Sequence, residues 1–134
     1  MKRYVLLAAF VLLIAAPAVQ AASKSPFTGP WRATDTPGDG SAMGLQISGG
    51  SKVQLTFIDH YGTICFNNSA PTNVFQASLT GARSGATLTG TWLSAHCGRV
   101  WFDVSGWAPF ELTYDSGTNT LTDNSPTPIT WYRP

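Results

Sequence analysis

The sequence predicts an all-β protein, folded as an antiparallel β-barrel or β-sandwich of about 8–10 short strands with one disulfide. Three observations lead to this class. Apolar and polar residues alternate in several segments, turn-forming residues recur about every 8–12 positions, and no helical period appears outside the N-terminus. A chain of 134 residues fits one domain, which we place at residues 29–134.

The N-terminal segment has the composition of an export signal. Lys2 and Arg3 precede an apolar run over residues 4–16, Pro17 interrupts it, and Val19 and Ala21 are small residues where a signal peptidase cuts. We therefore expect residues 1–21 to be a signal peptide and residues 22–28 to be a disordered leader. The mature protein would be secreted or periplasmic, with no membrane anchor after cleavage.

The charge balance argues against polyanionic partners. Without residues 1–21 the chain keeps six basic residues against seven acidic ones, a formal net charge of −1. Such a balance provides no electrostatic attraction to nucleic acid or to an anionic membrane surface.

In the first half of the domain, the residue pattern predicts three strands and a loop. Trp31 anchors a short strand at residues 29–34, which residues 36–41 (TPGDGS) end as a turn. Met43, Leu45 and Ile47 alternate with small or polar residues in a second strand, and a turn at residues 49–50 leads into a third at 52–58. A turn at 59–62 leads into residues 63–66, and a proline-bearing loop follows at 67–73.

The second half predicts six further strands from the same alternation. They lie at residues 74–80, 87–93, 100–104, 110–114, 120–122 and 129–132, with a turn at 81–85 between the first two. Trp92 and Trp131 are in phase with apolar neighbours, as is Trp31, so we expect these three side chains in the core.

Two cysteines behind an export signal predict a Cys65–Cys97 disulfide, because exported proteins mature in oxidising compartments. The alternative is a zinc or copper site built from Cys65, Cys97, His60 and His96. None of their spacings forms a recognised ligand pair, so we expect no metal site and no cofactor.

Residues 110–123 (FELTYDSGTNTLTD), followed by residues 130–133, resemble the closing hairpin of small exported bacterial β-domains of unassigned function. Those domains also show a DGS turn, here residues 39–41, and a cysteine after each of two strands. The resemblance implies a fold and export, but no chemistry.

A second likeness, in residues 28–31 (TGPW) and 88–92 (LTGTW), is to avidin-like and lipocalin-like barrels. The paired-tryptophan biotin site has no counterpart here, so no ligand residues are carried over.

No catalytic motif is present, and we expect a protein that is not an enzyme. The candidate site is instead an aromatic surface. Arg99, Trp101 and Asp103 alternate with Val100, Phe102 and Val104, so they should share the face of a strand that points away from the core; Trp107 follows in a nearby loop.

A tryptophan flanked by arginine and aspartate is typical of a sugar-binding platform or a protein-contact hot spot. The structural alternative is that Trp101 packs on a cross-strand neighbour while Arg99 pairs with Asp103 in solvent. The function expected is an exported non-catalytic module that binds a glycan or a protein through this face. A small periplasmic inhibitor of a hydrolase and a lipocalin-like carrier of an apolar molecule are the alternatives.

Overall fold

The computed structural model describes residues 25–35 and 40–134. The predicted signal peptide, residues 22–24 of the leader and residues 36–39 of the first turn lie outside them. The described residues form nine strands and one short helix: β1 (Gly29–Thr34), β2 (Ala42–Gly49), β3 (Lys52–Asp59), α1 (Thr63–Asn67), β4 (Phe75–Ser84), β5 (Thr87–Cys97), β6 (Val100–Trp101), β7 (Phe110–Asp115), β8 (Thr120–Asp123) and β9 (Thr130–Tyr132). Among these residues, no helix has the length and apolar character needed to cross a membrane.

Eight of the strands form a closed antiparallel barrel. They pair in the order β1, β2, β3, β4, β5, β7, β8, β9, and β9 pairs back with β1. The short β6 pairs with the last residues of β5, and β7 pairs with the first residues of the same strand. The all-β prediction is confirmed, and of the two architectures it left open the barrel is the one that forms.

The barrel interior is filled by the inward-facing half of the alternating pattern. Met43, Leu45 and Ile47 in β2 are buried, as are Val53 and Leu55 in β3. An eight-stranded barrel is just wide enough for such side chains to fill it. The buried core also contains Phe27, Trp31, Ala33, Cys65, Phe75, Ala77, Leu79, Leu88, Ala95, Cys97, Leu112, Leu121 and Trp131.

The two ends of the barrel differ in their connections. Short connections at residues 50–51, 85–86 and 116–119 share one end, which we call the turn end. Because neighbouring strands are antiparallel, the start of β1 and the end of β9 lie there too. The opposite end, the loop end, carries the longer connections at residues 35–41, 60–74, 98–109 and 124–129.

The turn end is closed by residues that the sequence assigned to a disordered leader. Phe27 is fully buried, and its carbonyl oxygen accepts a 2.8 Å hydrogen bond from the indole Nε1 of Trp31. The leader prediction is therefore wrong for Pro26, Phe27 and Thr28. The sequence could not show this, because a single aromatic residue in a polar segment forms no alternating pattern that would predict burial.

Arg133 holds this segment against the barrel. Its guanidinium donates hydrogen bonds to the carbonyl oxygens of Thr28 (2.8 Å, from Nη1) and Pro26 (2.6 Å, from Nη2). Its Cζ also lies 3.9 Å from the ring centroid of Trp31, a cation–π contact. One side chain near the end of β9 thus joins the segment before β1 to the core.

The loop end is closed by α1, a helix that the sequence pattern did not predict. A five-residue helix is too short to show a helical period, and its isoleucine, threonine and phenylalanine favour strands. Tertiary contacts override that preference. Cys65 is buried and forms the predicted disulfide with Cys97, with a Cα–Cα distance of 5.6 Å, so the turn is fixed on the end of β5.

Three strand boundaries also differ from the prediction. β4 continues to Ser84, through residues whose composition suggested a turn, because Gly81 pairs on both sides with Val53 and Gly90. β5 extends to Cys97 past a bulge at Leu93, the residue with no partner between the pairs Leu79↔Trp92 and Ser78↔Ser94. The strand predicted at 100–104 is reduced to Val100–Trp101.

Replacing Arg133 with alanine should lower the free energy of unfolding by about 2–4 kcal/mol, because two part-buried carbonyl oxygens lose charge-assisted hydrogen bonds and Trp31 loses its cation–π contact. Chemical denaturation followed by tryptophan fluorescence measures this. Arg99→Ala is the matched control, since Arg99 is exposed and no side-chain hydrogen bond, ion pair or ring contact joins it to the described residues. Equal effects of the two substitutions would contradict the structural role of Arg133.

Removing the disulfide with Cys65→Ala and Cys97→Ala together should lower the free energy of unfolding by about 2–5 kcal/mol. The bridge joins residues 32 positions apart, so its loss releases a long loop in the unfolded chain. Reduction of the wild-type protein with dithiothreitol should give the same loss. A double variant as stable as the oxidised protein would show that the bridge contributes nothing.

Candidate functional site

The candidate site is built on the tight hairpin between β5 and β6. Cys97 pairs with Val100, which leaves Gly98 and Arg99 as a two-residue turn. Gly98 has a φ of +58°, as the first central position of a type II′ turn requires. The turn exposes Arg99 at the loop end and directs β6 back along the outside of β5.

The predicted separation of faces occurs. Arg99, Trp101 and Asp103 are exposed, whereas Val100, Phe102 and Val104 are half-buried. The alternation continues beyond β6 because the backbone N–H of Phe102 donates to the carbonyl oxygen of Ala95 at 3.0 Å. The three outward residues therefore share one surface, which we call the Trp101 face.

Trp101 is the most prominent residue of this face, with 63% of its surface exposed. Its Cα partner in β5 is His96, and the two rings lie with centroids 4.3 Å apart and planes inclined by 30°. Among the described residues no other aromatic ring contacts Trp101. One face of the indole is therefore covered by the imidazole, and the other is open to solvent.

His96 is itself held in place. Its Nδ1 lies 2.9 Å from the carbonyl oxygen of Gly98. A carbonyl oxygen only accepts, so Nδ1 donates this hydrogen bond. On the other side of His96, Gln76 of β4 is its register partner and is exposed. Gln76, His96 and Trp101 thus form a row across three strands on the outside of the barrel.

Asp103 is fixed by local hydrogen bonds rather than by a cation. Two hydrogen bonds from Ser105 hold the pKa of the Asp103 carboxyl below its usual value. The bond from the Ser105 hydroxyl has the larger effect, and the bond from its backbone N–H, 3.0 Å from Oδ1, has the smaller one. Within the described part of the chain no ion pair joins Asp103 to Arg99. One part of the structural alternative is therefore observed, since Trp101 packs on its cross-strand neighbour His96. The other part, pairing of Arg99 with Asp103, is not observed among the described residues.

Trp107 does not lie on the Trp101 face. It is half-buried on the inner side, where its ring contacts Trp92 (5.2 Å between centroids), Phe75 (6.3 Å) and Phe102 (6.3 Å). The sequence placed Trp107 near Trp101 because only five residues separate them and glycine permits any direction. The structure instead makes it part of the packing beneath the face.

The other tryptophans follow the prediction closely. Trp31 and Trp131 are buried. Trp92 is half-buried against the core, and its Nε1 donates to the carbonyl oxygen of Ala108 at 2.8 Å.

The metal alternative loses its two thiolates, since Cys65 and Cys97 are joined in the disulfide. In the described ranges no three or more histidine, cysteine, aspartate or glutamate side chains are grouped closely enough to hold a metal ion.

Sequence reasoning missed the role of His96. It precedes the disulfide cysteine, and its sequence position suggested a polar strand-end residue. Its contact with Trp101 depends on the two-residue turn at Gly98 and Arg99, which sets the register of β6 on β5. The glycine before Arg99 was the available signal, because it marks a tight turn.

No protein-family model matches the chain, and neither a curated protein nor a solved structure is similar to it.

The Asp103 carboxyl should titrate below the pH expected for an ordinary aspartate, and Ser105→Ala should move its midpoint upward, because the hydroxyl that stabilises the anion is lost. Since the folded pKa is the lower one, this contribution to stability exists above the ordinary pKa and disappears as pH falls through the lowered value.

Carboxyl-carbon NMR across a pH series measures the midpoint directly. Ser116→Ala, an exposed serine at the turn end, is the control and should leave the Asp103 midpoint unchanged. An unshifted midpoint in Ser105→Ala would refute the assignment to Ser105.

Proposed function

We propose that this protein is an exported, non-catalytic module that binds a glycan through the Trp101 face, with His96 and Gln76 as members of the surface. The observation that carries the proposal is the indole of Trp101, 63% exposed and backed by His96. Exposed aromatic rings with one open face suit the apolar faces of sugar rings, and nearby polar groups bind the hydroxyls.

The surroundings of Trp101 favour a sugar over an apolar partner. Asp103 and Gln76 supply hydrogen-bond acceptors, while Arg99 and Gln76 supply donors, and all three side chains are exposed. Arg99 and Asp103 together are neutral, so the surface does not select a charged ligand. A neutral glycan meets these groups without requiring desolvation of an unpaired charge.

The surface is also ordered before any ligand arrives. Trp101 lies on His96, His96 is fixed by Gly98, and Asp103 is fixed by Ser105. The β5–β6 hairpin is in turn held by the disulfide at Cys97 and by the backbone bond from Phe102 to Ala95. Side chains that are already immobile lose less entropy on binding, which favours affinity.

The filled interior supports surface binding rather than carriage of an apolar molecule. Large side chains such as Trp31 and Trp131 occupy the barrel, Phe27 lies in its turn end, and the half-buried rings of Trp92 and Trp107 pack together at its loop end. A lipocalin-like carrier needs open volume at these positions.

One observation favours the hydrolase-inhibitor alternative. Phe66 of α1 is also 63% exposed and Tyr61 is 41% exposed, both in the connection at residues 60–74 of the loop end. Aromatic residues on a rigid, disulfide-fixed loop are typical of protein contacts. This second surface includes no residue of the Trp101 face, so substitution can separate the two.

The disulfide indicates a non-reducing compartment, since cytosolic proteins rarely keep such bridges. Secretion or residence in a periplasm is the more specific location that we propose, from the export signal at residues 1–21.

Trp101→Ala should leave the fold intact and weaken glycan binding by about 2 kcal/mol or more, roughly thirtyfold in Kd. The fold should survive because the indole is mostly outside the core. An immobilised glycan panel identifies a ligand for the wild-type protein, and titration calorimetry with that glycan compares the variants. Unfolding midpoints verify that the fold is retained.

Phe66→Ala is the matched control, because Phe66 has the same exposed fraction as Trp101 and lies on α1. It should retain glycan binding. Absence of glycan binding by the wild-type protein, or equal losses in both variants, would refute the Trp101 face as the site. A protein ligand whose binding depends on Phe66 and not on Trp101 would favour the inhibitor.

A further inference from the structure

The wall of the barrel opens on the side opposite the Trp101 face. In the closed ring of eight strands β1 lies four strands from β5 in either direction. Among the described residues β1 and β9 share one register pair, Arg32↔Tyr132, whereas β1 and β2 share six. A groove of about 640 Å³ lies along this seam, in the size range of small-molecule sites, and its lining includes Arg32, Met43, Pro128, Ile129, Thr130 and Tyr132.

The position of Arg32 on this wall is defined by its neighbours. Its register partner in β2 is Gly44, which has no side chain, and beyond Gly44 lies Ile58 of β3. A Cβ on Gly44 would lie 3.0 Å from the Cγ2 of Ile58, so no larger residue fits there without displacement. The outer surface therefore presents Arg32 between Gly44, over which the side chain of Ile58 reaches, and Tyr132.

The guanidinium of Arg32 has no partner among the described residues. The side chain is exposed, and no hydrogen bond or ion pair joins it to any residue that the structure describes. Among the described residues that line the groove, none carries a carboxylate. Arg133, the next basic residue along the seam, differs because its guanidinium donates hydrogen bonds to the carbonyl oxygens of Pro26 and Thr28.

Tyr132 supplies the second element of recognition. Its side chain is 57% exposed, and its Cα pairs with that of Arg32, so the two exposed side chains are cross-strand neighbours on the same outer surface. Pro128, which is exposed, and Ile129, which is half-buried, contribute apolar surface to the groove beside it. An unpaired cation next to an exposed ring and an apolar lining is complementary to an anion carried on a ring.

We propose that this groove binds a ring-bearing carboxylate. The carboxylate accepts hydrogen bonds from the guanidinium of Arg32, whose planar fork matches both oxygens. The ring lies against Tyr132 and the apolar lining. An acidic sugar and an aryl carboxylate share this chemistry. The site is separate from the Trp101 face and does not depend on the function proposed for it.

The test is an NMR titration of the full domain with three probes: D-glucuronate as the acidic sugar, benzoate as the aryl acid, and D-glucose as the neutral ring. At least one acid should cause saturable shifts at the amides of Ile129, Thr130 and Tyr132 and at the Nε–H of Arg32, and glucose should not. Binding of glucuronate alone identifies an acidic sugar as the ligand class, and binding of benzoate alone identifies an aryl acid.

Arg32→Gln should weaken binding of the active acid by about tenfold, since a charged pair is replaced by a neutral amide. Lys52→Gln is the control for overall charge, because Lys52 is an exposed cation on β3 outside the groove. It should leave the affinity unchanged, and thermal melting should verify that both variants are folded. No saturable shift with either acid, equal shifts with glucose, or equal losses in the two variants would overturn the proposal.

Discussion

The structure depends on the closure of the barrel by its first and last strands. Closure is entropically costly because it joins parts of the chain that are far apart in sequence. The backbone contribution is small at this seam, where Arg32 and Tyr132 provide one register pair. Arg133 compensates with two hydrogen bonds that span 105 and 107 residues, and with its stacking on Trp31. The seam is therefore held mainly by a side chain at the turn end, and towards the loop end the two strands leave a groove.

Much of the fold could be predicted from the alternation of residues, because one face of each strand is buried and the other is solvated. Met43, Leu45 and Ile47 show this pattern clearly. The disulfide could be predicted because the sequence has two cysteines and exported proteins mature in oxidising compartments. The failures have a common cause. α1, Phe27 and the true end of β4 at Ser84 are determined by contacts distant in sequence, namely the Cys97 bridge, the Arg133 clamp and pairing across Gly81. Local propensity does not contain that information.

The candidate site shows the same division. The outward direction of Trp101 could be predicted from its phase relative to Val100 and Phe102, since alternation along a strand is a local property. The contact of Trp101 with His96 could not, because it depends on the register between two strands. Trp107 was misplaced because a glycine-flanked loop carries no directional pattern. The groove beside Arg32 arises from two strands a hundred positions apart, so no segment of sequence could reveal it.

The placement of residues 25–28 beside the end of β9 has a consequence for how this domain is presented. The segment before β1 and the end of β9 leave the barrel at the same end, held together by Arg133. A tether attached next to Pro26 or next to Arg133 therefore orients the barrel in the same way, with α1, the disulfide and the β5–β6 hairpin directed away from the attachment point. A pulling force applied across these two ends would act first on the contacts of Arg133 and then on the one register pair between β1 and β9, Arg32↔Tyr132. The seam beside Arg32 would consequently be the first part of the wall to respond to tension.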